Sequence, residues 1–460
     1  MNFSDYSTWN FIVQFGIMMV IILIANIIRR KIPFIKKSLV PTSVIAGLLI
    51  MAIRNIDYFK QLIDKDFLEL VTYHTIALGF ISIALKVQAK EREKSSVIMR
   101  TGAITVGTYV IQGIVGLGIT LILSITFMPD LFQASGLILP LGFGQGPGQA
   151  MNFGKIYEGM GFIGGTDFGL TVAGIGFLVA CLVGVVHLNV LRHKGKILIK
   201  DSAEESSRLT HEDVSNENEI PLSESVDKMT IQISIVFATY FITYLLILGL
   251  TKLSANLGDF GTNTVAPLLW GFNFLFGVLV AFIVGLVMKR LKKVGIMNRQ
   301  YPNNFLLNRL GGLFFDLMVV ASIGAIELNA LKPYIIVLTL LTIFGTIVTM
   351  VYLKYVCKRI YPTYEYEAYF SMFGMLTGTA STGMVLLREI DNEFKTPAAN
   401  NLVLQNLPAI MFGFPLMLLL VYAPLGTSQA WITLGVLVIM FIALNVFVLW
   451  NFIKKKPIAA

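Results

Sequence analysis

The chain has 460 residues, of which 55% are apolar and 14% are charged, and its formal net charge is +9. Soluble domains carry about 25% charged residues, so this composition excludes a large soluble domain and indicates a membrane protein. The apolar runs are continuous rather than alternating, which excludes a β-barrel, and the basic residues lie in short loops, which argues against a nucleic-acid partner.

The apolar runs predict a chain that crosses the bilayer many times, since a spanning helix needs roughly 20 apolar residues. Two further segments, 131–158 and 366–391, are apolar but interrupted by glycine or proline. We interpret them as re-entrant hairpins that enter and leave by the same side. The predicted spans are 11–28, 39–53, 70–89, 101–125, 166–191, 230–250, 264–288, 306–327, 334–355, 398–422 and 429–452.

The distribution of lysine and arginine predicts the orientation of these spans. If each hairpin returns to its own side, the loops of one side hold 28 of the 36 basic residues, the opposite loops hold 5 and the hairpins hold 3. Cytoplasmic loops carry the excess of basic residues, so we expect a multi-pass protein of the cytoplasmic membrane with its N-terminus outside and its C-terminus inside. The first span lacks a preceding basic region, which predicts an uncleaved helix rather than a signal peptide.

This layout predicts an all-α polytopic membrane protein with two inverted repeats, each of five transmembrane helices plus a re-entrant hairpin, and one extra C-terminal helix. A shift of 233 residues places Lys155 on Arg388 and Glu158 on Asp391, which supports the repeat. The predicted domains are the first repeat at 1–192, a polar cytoplasmic linker at 193–229, the second repeat at 230–425 and the additional helix at 426–460.

Both hairpins contain a glycine-rich stretch, at 142–152 and at 374–384. Two interrupted segments at matching positions of two halves are the best sequence indication of a transporter's binding site. Unwound backbone and neutral side-chain oxygens suit sodium, and the start of each following helix suits a carboxylate. The alternative is that the glycines only let helices pack closely. The candidate binding residues are Gln145, Gly146, Gly148, Gln149, Asn152, Thr377, Gly378, Thr379, Ser381 and Thr382.

Charged side chains extend this candidate site. Arg388 is suited to gripping a carboxylate, but Lys155 and Arg388 are equally suited to salt bridges with Glu158 and Asp391, three residues further along. Asp316 lies in the middle of an apolar run, where a carboxylate by default indicates function. It is expected to bind sodium, to carry a proton or to pair with Arg309, seven residues earlier. The predicted sodium ligands are Gln145, Thr377, Ser381 and Asp316.

Amide side chains four residues apart follow the second hairpin at Asn401 and Gln405, on one helical face. Asp167 and Thr171 have the same spacing after the first hairpin. Each pair is expected either to complete an ion site or to hydrogen-bond between helices.

Isolated histidines and cysteines in apolar runs predict structural roles. His74 and His187 are expected to be packed and hydrogen-bonded rather than to relay protons. Cys181 and Cys357 fit neither a metal-ligand spacing nor a disulfide framework, so we expect both to be reduced.

The two glycine-rich hairpins, the five-span unit and the linker between inverted halves resemble the sodium/glutamate symporter family over roughly residues 1–425. The resemblance implies sodium-driven uptake of glutamate by alternating access, and a homodimer as a candidate assembly. The first hairpin reads Gly-Gln-Gly-Pro-Gly-Gln from Gly144, whereas a Gly-x-Gly-Thr-Ala type of sequence is expected in the glutamate carriers. Another amino acid or organic anion therefore stays open as the substrate.

These features predict a transporter that imports glutamate or a related carboxylate-bearing solute, with sodium as the coupling ion and no other cofactor. The expected partners are the anionic solute, Na⁺ and the lipid bilayer. A proton-coupled organic-anion carrier of the same fold and a passive anion channel are the alternatives. An enzyme is not predicted, because the sequence carries no nucleotide-binding or nucleophile motif and no acid–base cluster.

Overall fold

The computed structural model describes residues 5–33, 40–56, 62–86, 95–197, 228–258, 261–297, 301–391 and 396–453. Every regular element in these ranges is helical. Most of the predicted linker, residues 198–227, lies outside the described residues, as does Lys395 of the second predicted hairpin.

The α-helices are named α1 to α16 in chain order. They are α1 (Tyr6–Lys31), α2 (Thr42–Arg54), α3 (Lys65–Ala84), α4 (Ser95–Thr126), α5 (Pro147–Gly159), α6 (Gly165–His193), α7 (Lys228–Ser254), α8 (Ala266–Gly271), α9 (Asn273–Lys293), α10 (Asn304–Gly324), α11 (Ile335–Ile360), α12 (Glu365–Thr377), α13 (Ala380–Arg388), α14 (Ala398–Leu404), α15 (Asn406–Tyr422) and α16 (Thr427–Ile453).

Within the described ranges, 10 helical segments are long and apolar enough to cross a membrane. This finding confirms the prediction of a multi-pass helical protein. The predicted span at 39–53 corresponds to α2, which is apolar but has only 13 residues. At about 1.5 Å per residue, α2 is about 20 Å long, which is less than the hydrocarbon thickness of about 30 Å.

Both predicted hairpins are interrupted in the structure. In the first, a π-helical turn at Pro140–Gln145 ends at Gly146, which has a φ of 89°, and α5 begins at Pro147. Proline has no N–H to donate and is favoured at the first position of a helix, so the sequence both ends one helix and begins the next. In the second, α12 ends at Thr377 and α13 begins after an extended Thr379.

The helix starts repeat along the chain at the spacing found in the sequence. The starts of α5 and α13 are 233 residues apart, and so are the starts of α6 and α14. Each interrupted segment is therefore followed, at the same distance, by another helix.

Contacts divide the chain into two compact units. The first unit comprises Met1–Lys65, Glu91–Ser202 and Ser322–Ala460, and the second comprises Asp66–Lys90 and Ala203–Ala321. Each unit contains segments from both predicted repeats.

The first unit is built around α4, which packs against α11, α15 and α16. Close approach is possible because of small residues: a Cβ on Gly102 would lie 2.9 Å from the backbone nitrogen of Ala409 in α15. The buried Tyr157 at the end of α5 donates its hydroxyl proton to the carbonyl of Leu420, at 2.7 Å. This bond fixes the second part of the first interrupted segment against α15.

The second unit has an apolar core between four helices, α3, α7, α9 and α10. Three of its polar side chains are hydrogen-bonded: Tyr73 donates to the carbonyl of Trp270 at 2.8 Å, and His74 Nδ1 lies 2.7 Å from the Tyr240 hydroxyl. The histidine is thus hydrogen-bonded within the core, as predicted. The core residues are Leu78, Ile81, Leu85, Val236, Ala281, Leu307, Leu310 and Phe314.

A buried cation connects three segments of the first unit. Arg54, at the end of α2, donates to the carbonyls of Ile63 at 2.9 Å and Gly324 at 3.0 Å. Its guanidinium also lies 3.6 Å from the carboxylate of Glu327. Because Arg54 is only 4% exposed, these partners replace the water that the charge loses on burial.

We expect Arg54→Met to lower the free energy of unfolding by about 3 kcal/mol, because two buried carbonyls lose their donor. Glu327→Gln should cost less, since the Glu327 side chain is 33% exposed and water can replace it. Thermal unfolding of the purified protein in detergent measures both changes. Equal unfolding midpoints for the two variants would contradict this ranking.

Candidate functional site

The two helix interruptions meet inside the first unit. A Cβ built on Gly146 would lie 3.6 Å from the methyl carbon of Thr379 and 4.0 Å from the carbonyl oxygen of Gly378. A methyl group at Gly146 would therefore be in van der Waals contact with the second interruption, although 233 residues separate Gly146 from Thr379. The structure thus brings together the two glycine-rich segments that the sequence singled out.

The first interruption combines two opposite polarities. The turn at Pro140–Gln145 ends in backbone carbonyls, and Pro147 has no N–H with which to bond them. Directly afterwards, α5 begins with unpaired backbone amides and the positive end of its dipole. The Gly146 carbonyl is used, because it accepts from the amide of Ala150 at 3.3 Å. Carbonyls favour a cation and amides favour an anion, so this short segment offers groups for both.

Two amide side chains of the first interruption have unused hydrogen-bonding groups. Gln149 is 0% exposed, and among the described residues neither its oxygen nor its nitrogen has a hydrogen-bond partner. The Nε2 of Gln145 is also buried without a partner in this part of the chain. Leaving a buried polar group unpaired costs about 1–3 kcal/mol, and such groups in native proteins call for an explanation. Gly148 and Asn152 are buried beside them.

The hydroxyls of the second interruption are mainly used within its own helices. Thr377 donates to the carbonyl of Phe373 at 2.7 Å, and the Thr382 hydroxyl accepts from the amide of Thr379 at 3.3 Å. The hydroxyls of Thr379 and Thr382 lie 3.2 Å apart and cap the start of α13. Each of these two oxygens accepts a backbone N–H, so the one that also accepts the hydroxyl proton of the other has both lone pairs used. The side chain of Ser381 lies outside the described residues.

Several glycines of the two segments do allow close helix packing. A Cβ on Gly142 would lie 2.9 Å from the backbone nitrogen of Ala173 in α6, and one on Gly383 would lie 3.1 Å from that of Met375 in α12. Gly146 differs, because its positive φ is poorly accessible to other residues and its nearest neighbours belong to the opposite interruption. The packing interpretation and the site interpretation therefore apply to different glycines.

The acidic residues predicted to pair with hairpin cations have a shared structural role. Glu158 accepts from the backbone amide and the hydroxyl of Thr166, at 3.0 and 2.8 Å. Asp391 does the same with Thr396, at 2.9 and 2.6 Å. Each carboxylate therefore fixes the chain near the start of the next helix, α6 or α14.

The predicted cation Arg388 lies exposed at the end of α13, as Lys155 does in α5. Burial raises the pKa of the neighbouring Glu389 carboxyl above its usual range, and the charges of Arg192 and Arg388 oppose this rise. The guanidinium of Arg388 thus acts on Glu389, and Arg388 lies nine residues beyond Thr379 along the chain.

Asp167 and Asn401, which belong to the polar pairs predicted to complete an ion site, bond to other segments of the first unit. Asp167 forms an ion pair with Lys65 at 2.8 Å and accepts from the backbone amide of Glu327 at 3.0 Å. Asn401 donates to the Tyr364 hydroxyl at 3.0 Å.

Gln405 contacts α12 through the sulfur of Met375, at 3.4 Å from its Nε2. The side-chain oxygens of Gln405 and Asn401 are buried and have no partner among the described residues. Asn401 of α14 and Gln405, which directly follows α14, therefore keep acceptors that a ligand can use.

Asp316 lies in α10, in the second unit, and its side chain is exposed. His187 lies in the first unit, where its Nδ1 is 2.9 Å from the Tyr369 hydroxyl, which confirms the structural role predicted for it. In the described ranges, no three His, Cys, Asp or Glu side chains gather as metal ligands.

One buried residue of this region was not predicted. Gln112 of α4 is 0% exposed and donates to the carbonyl of Leu376 at 3.0 Å, one residue before the second interruption's Thr377. The available sequence signal was its position: Gln112 is an amide in the middle of a long apolar run, where polar side chains are rare.

Comparison with known proteins agrees with this geometry. A family model described as sodium/glutamate symporter matches residues 8–396, which is most of the chain and includes both interruptions. No curated protein and no solved structure gives a significant match. With its many membrane-spanning helices, the chain is a transmembrane sodium-coupled transporter and belongs to the sodium/glutamate symporter family.

Proposed function

We propose that this protein imports glutamate, or a related carboxylate-bearing solute, together with Na⁺ by alternating access. The observation that carries the proposal is the meeting of the two interruptions beside the buried, unpartnered Gln149. Such a place has backbone carbonyls, backbone amides and a spare amide side chain within a protein interior. The family supports sodium and glutamate as the transported pair.

The solute carboxylate is assigned to the start of α5. The unpaired amides there and the helix dipole favour a negative charge, and the Nε2 of Gln149 supplies a further donor. Gly146, Gly148 and Gly378 let the ligand approach the backbone. The remaining proposed contacts are Asn152, Thr379, Thr382, Arg388, Asn401 and Gln405.

Sodium is assigned to neutral oxygens of both interruptions, namely Gln145, Thr377 and Ser381. Asp316, in the second unit, is proposed as a separate residue of the sodium pathway. Gln145, Thr377 and Ser381 carry no charge. Na⁺ alone, or the solute carboxylate alone, would therefore bring an uncompensated charge into a poorly solvated site. Na⁺ and the carboxylate compensate each other there. This mutual stabilisation is the physical basis that we propose for coupled transport.

The proposed architecture is the pair of inverted repeats, at 1–192 and 230–425, with their interrupted segments acting as re-entrant hairpins. The equal spacing of the helix starts after each interruption supports it. With the N-terminus outside and the C-terminus inside, the hairpins enter from opposite faces. Closing one hairpin can then accompany opening the other. A homodimer is the proposed assembly.

Uptake into proteoliposomes tests the proposal most directly. Labelled glutamate should accumulate when an inward Na⁺ gradient is imposed and should stop when K⁺ replaces Na⁺. A panel of amino acids and organic anions, added as competitors, identifies the preferred solute. Accumulation without any sodium effect would contradict the proposal.

The two alternatives give different results in the same vesicles. A passive channel would equilibrate the solute but never concentrate it. A proton-coupled carrier would respond to an inward proton gradient without Na⁺, and Asp316→Asn would then abolish coupled uptake. Under the proposed sodium mechanism, Asp316→Asn should instead raise the Na⁺ concentration needed for half-maximal uptake.

Gly146→Ala should reduce uptake at least tenfold, because the added methyl group enters the gap between the interruptions. Gly161→Ala is the matched control: Gly161 has a φ of 101°, similar to the 89° of Gly146, but nothing lies within 4 Å of its Cβ position. Both changes place a side chain at a positive φ, where residues other than glycine are strained. Equal uptake by the two variants, at equal protein level, would argue against a site at Gly146.

A further inference from the structure

Gln112 links the two interruptions from the neighbouring helix α4. Its Nε2 donates to the hydroxyl oxygen of Thr349 in α11 at 2.8 Å and to the carbonyl of Leu376 in the last turn of α12 at 3.0 Å. The two protons of this nitrogen are thereby both used. The side chain is 0% exposed, so its orientation is set by the protein alone.

These partners determine which way the amide faces. The carbonyl of Leu376 can only accept, and the hydroxyl of Thr349 already donates its proton to the carbonyl of Gly345 at 2.7 Å. Exchanging the nitrogen and oxygen of Gln112 would place two acceptors against the amide oxygen. The nitrogen must therefore face Leu376 and Thr349, and the oxygen must face the other way.

The oxygen of Gln112 faces the first interruption. A Cβ on Gly144 would lie 3.4 Å from this oxygen, and it would overlap the ring of Tyr109. Among the described residues the oxygen has no hydrogen-bond partner. It is thus a buried acceptor beside the turn Pro140–Gln145, whose last carbonyls are acceptors as well.

We propose that the side-chain oxygen of Gln112 is a ligand of the coupling Na⁺, together with main-chain carbonyls of the turn Pro140–Gln145. One cation can be bound by several acceptors at once. It would therefore satisfy both the Gln112 oxygen and the last carbonyls of the turn. The inference rests on the proposed function, since it assigns the ion of that same site. It adds a ligand from α4, outside both interrupted segments.

The same amide would connect ion binding to the second interruption. A cation at the oxygen polarises the amide and strengthens its N–H bonds to Leu376, because hydrogen bonds that share a group reinforce one another. Na⁺ therefore stabilises the contact between the interruptions in which the solute is proposed to bind.

The test replaces Gln112 by methionine, which has a similar length but no oxygen or N–H. We expect Gln112→Met to raise the Na⁺ concentration for half-maximal uptake at least tenfold. Thermal unfolding gives a readout that does not depend on transport. Replacing choline chloride by NaCl should raise the unfolding temperature of the purified protein, and Gln112→Met should need at least tenfold more Na⁺ than the unchanged protein for half of this rise.

Thr105→Val is the matched control. Thr105 lies two turns earlier in α4, is 0% exposed and has a hydroxyl oxygen without a partner in the described part of the chain. Its replacement removes an equally buried oxygen away from the interruptions, so both half-saturation values should stay within twofold of those of the unchanged protein.

If Gln112→Met does not fold, Gln112→Asn decides the question. Asparagine keeps the amide oxygen and both N–H groups but is one methylene shorter, so its oxygen lies further from the turn and the Na⁺ concentration for half-maximal stabilisation should rise at least threefold. An unchanged half-saturation value in Gln112→Asn would overturn the assignment.

The outcomes also separate this inference from the proposed function. If the unchanged protein shows neither sodium-dependent uptake nor sodium-dependent stabilisation, the proposed function fails and the assignment fails with it. If the unchanged protein shows both and Gln112→Met keeps the same half-saturation values, only the assignment of Gln112 is wrong.

Discussion

Two breaks in backbone hydrogen bonding, placed in the interior of one compact unit, are the constraint on which this structure depends. An unpaired backbone group costs several kcal/mol in hydrocarbon, so each freed group needs a partner from the protein or a ligand. Gln112 supplies a donor for the carbonyl of Leu376, and Thr382 supplies an acceptor for the amide of Thr379. Close packing of α6 against both segments, made possible by small residues such as Gly142, excludes other partners.

The charged residues around the breaks are engaged in holding the scaffold. Glu158 and Asp391 fix the chain before α6 and α14, and Asp167 is paired with Lys65. The groups left at the breaks are therefore neutral amides, hydroxyls and backbone. A neutral, buried and incompletely paired site is suited to a cation and an anion that arrive together, and this pairing is the property a symporter requires.

Sequence reasoning could find the features that depend on local chemistry. Glycine and proline at Gly146 and Pro147 predicted a helix break, and apolar length predicted the spans. It could not find contacts set by tertiary structure. The i, i+3 spacing suggested that Glu158 pairs with Lys155, but it gave no sign that the same carboxylate accepts from Thr166. The importance of Gln112 depends on Leu376, 264 residues away, which no local pattern reveals.

The contact between the two interruptions is the central claim, and a disulfide between Gly146→Cys and Thr379→Cys tests it most directly. The Cβ position at Gly146 lies 3.6 Å from the Thr379 methyl carbon, which is bonded to the Cβ that would carry the cysteine sulfur, so the two cysteines are close enough for cross-linking. Gly164→Cys with Ala330→Cys is the positive control, since their Cβ positions are 3.8 Å apart and Gly164 also has a positive φ, of 73°. The account predicts that mild oxidation in the membrane cross-links both pairs. Cross-linking of the control pair alone would contradict it.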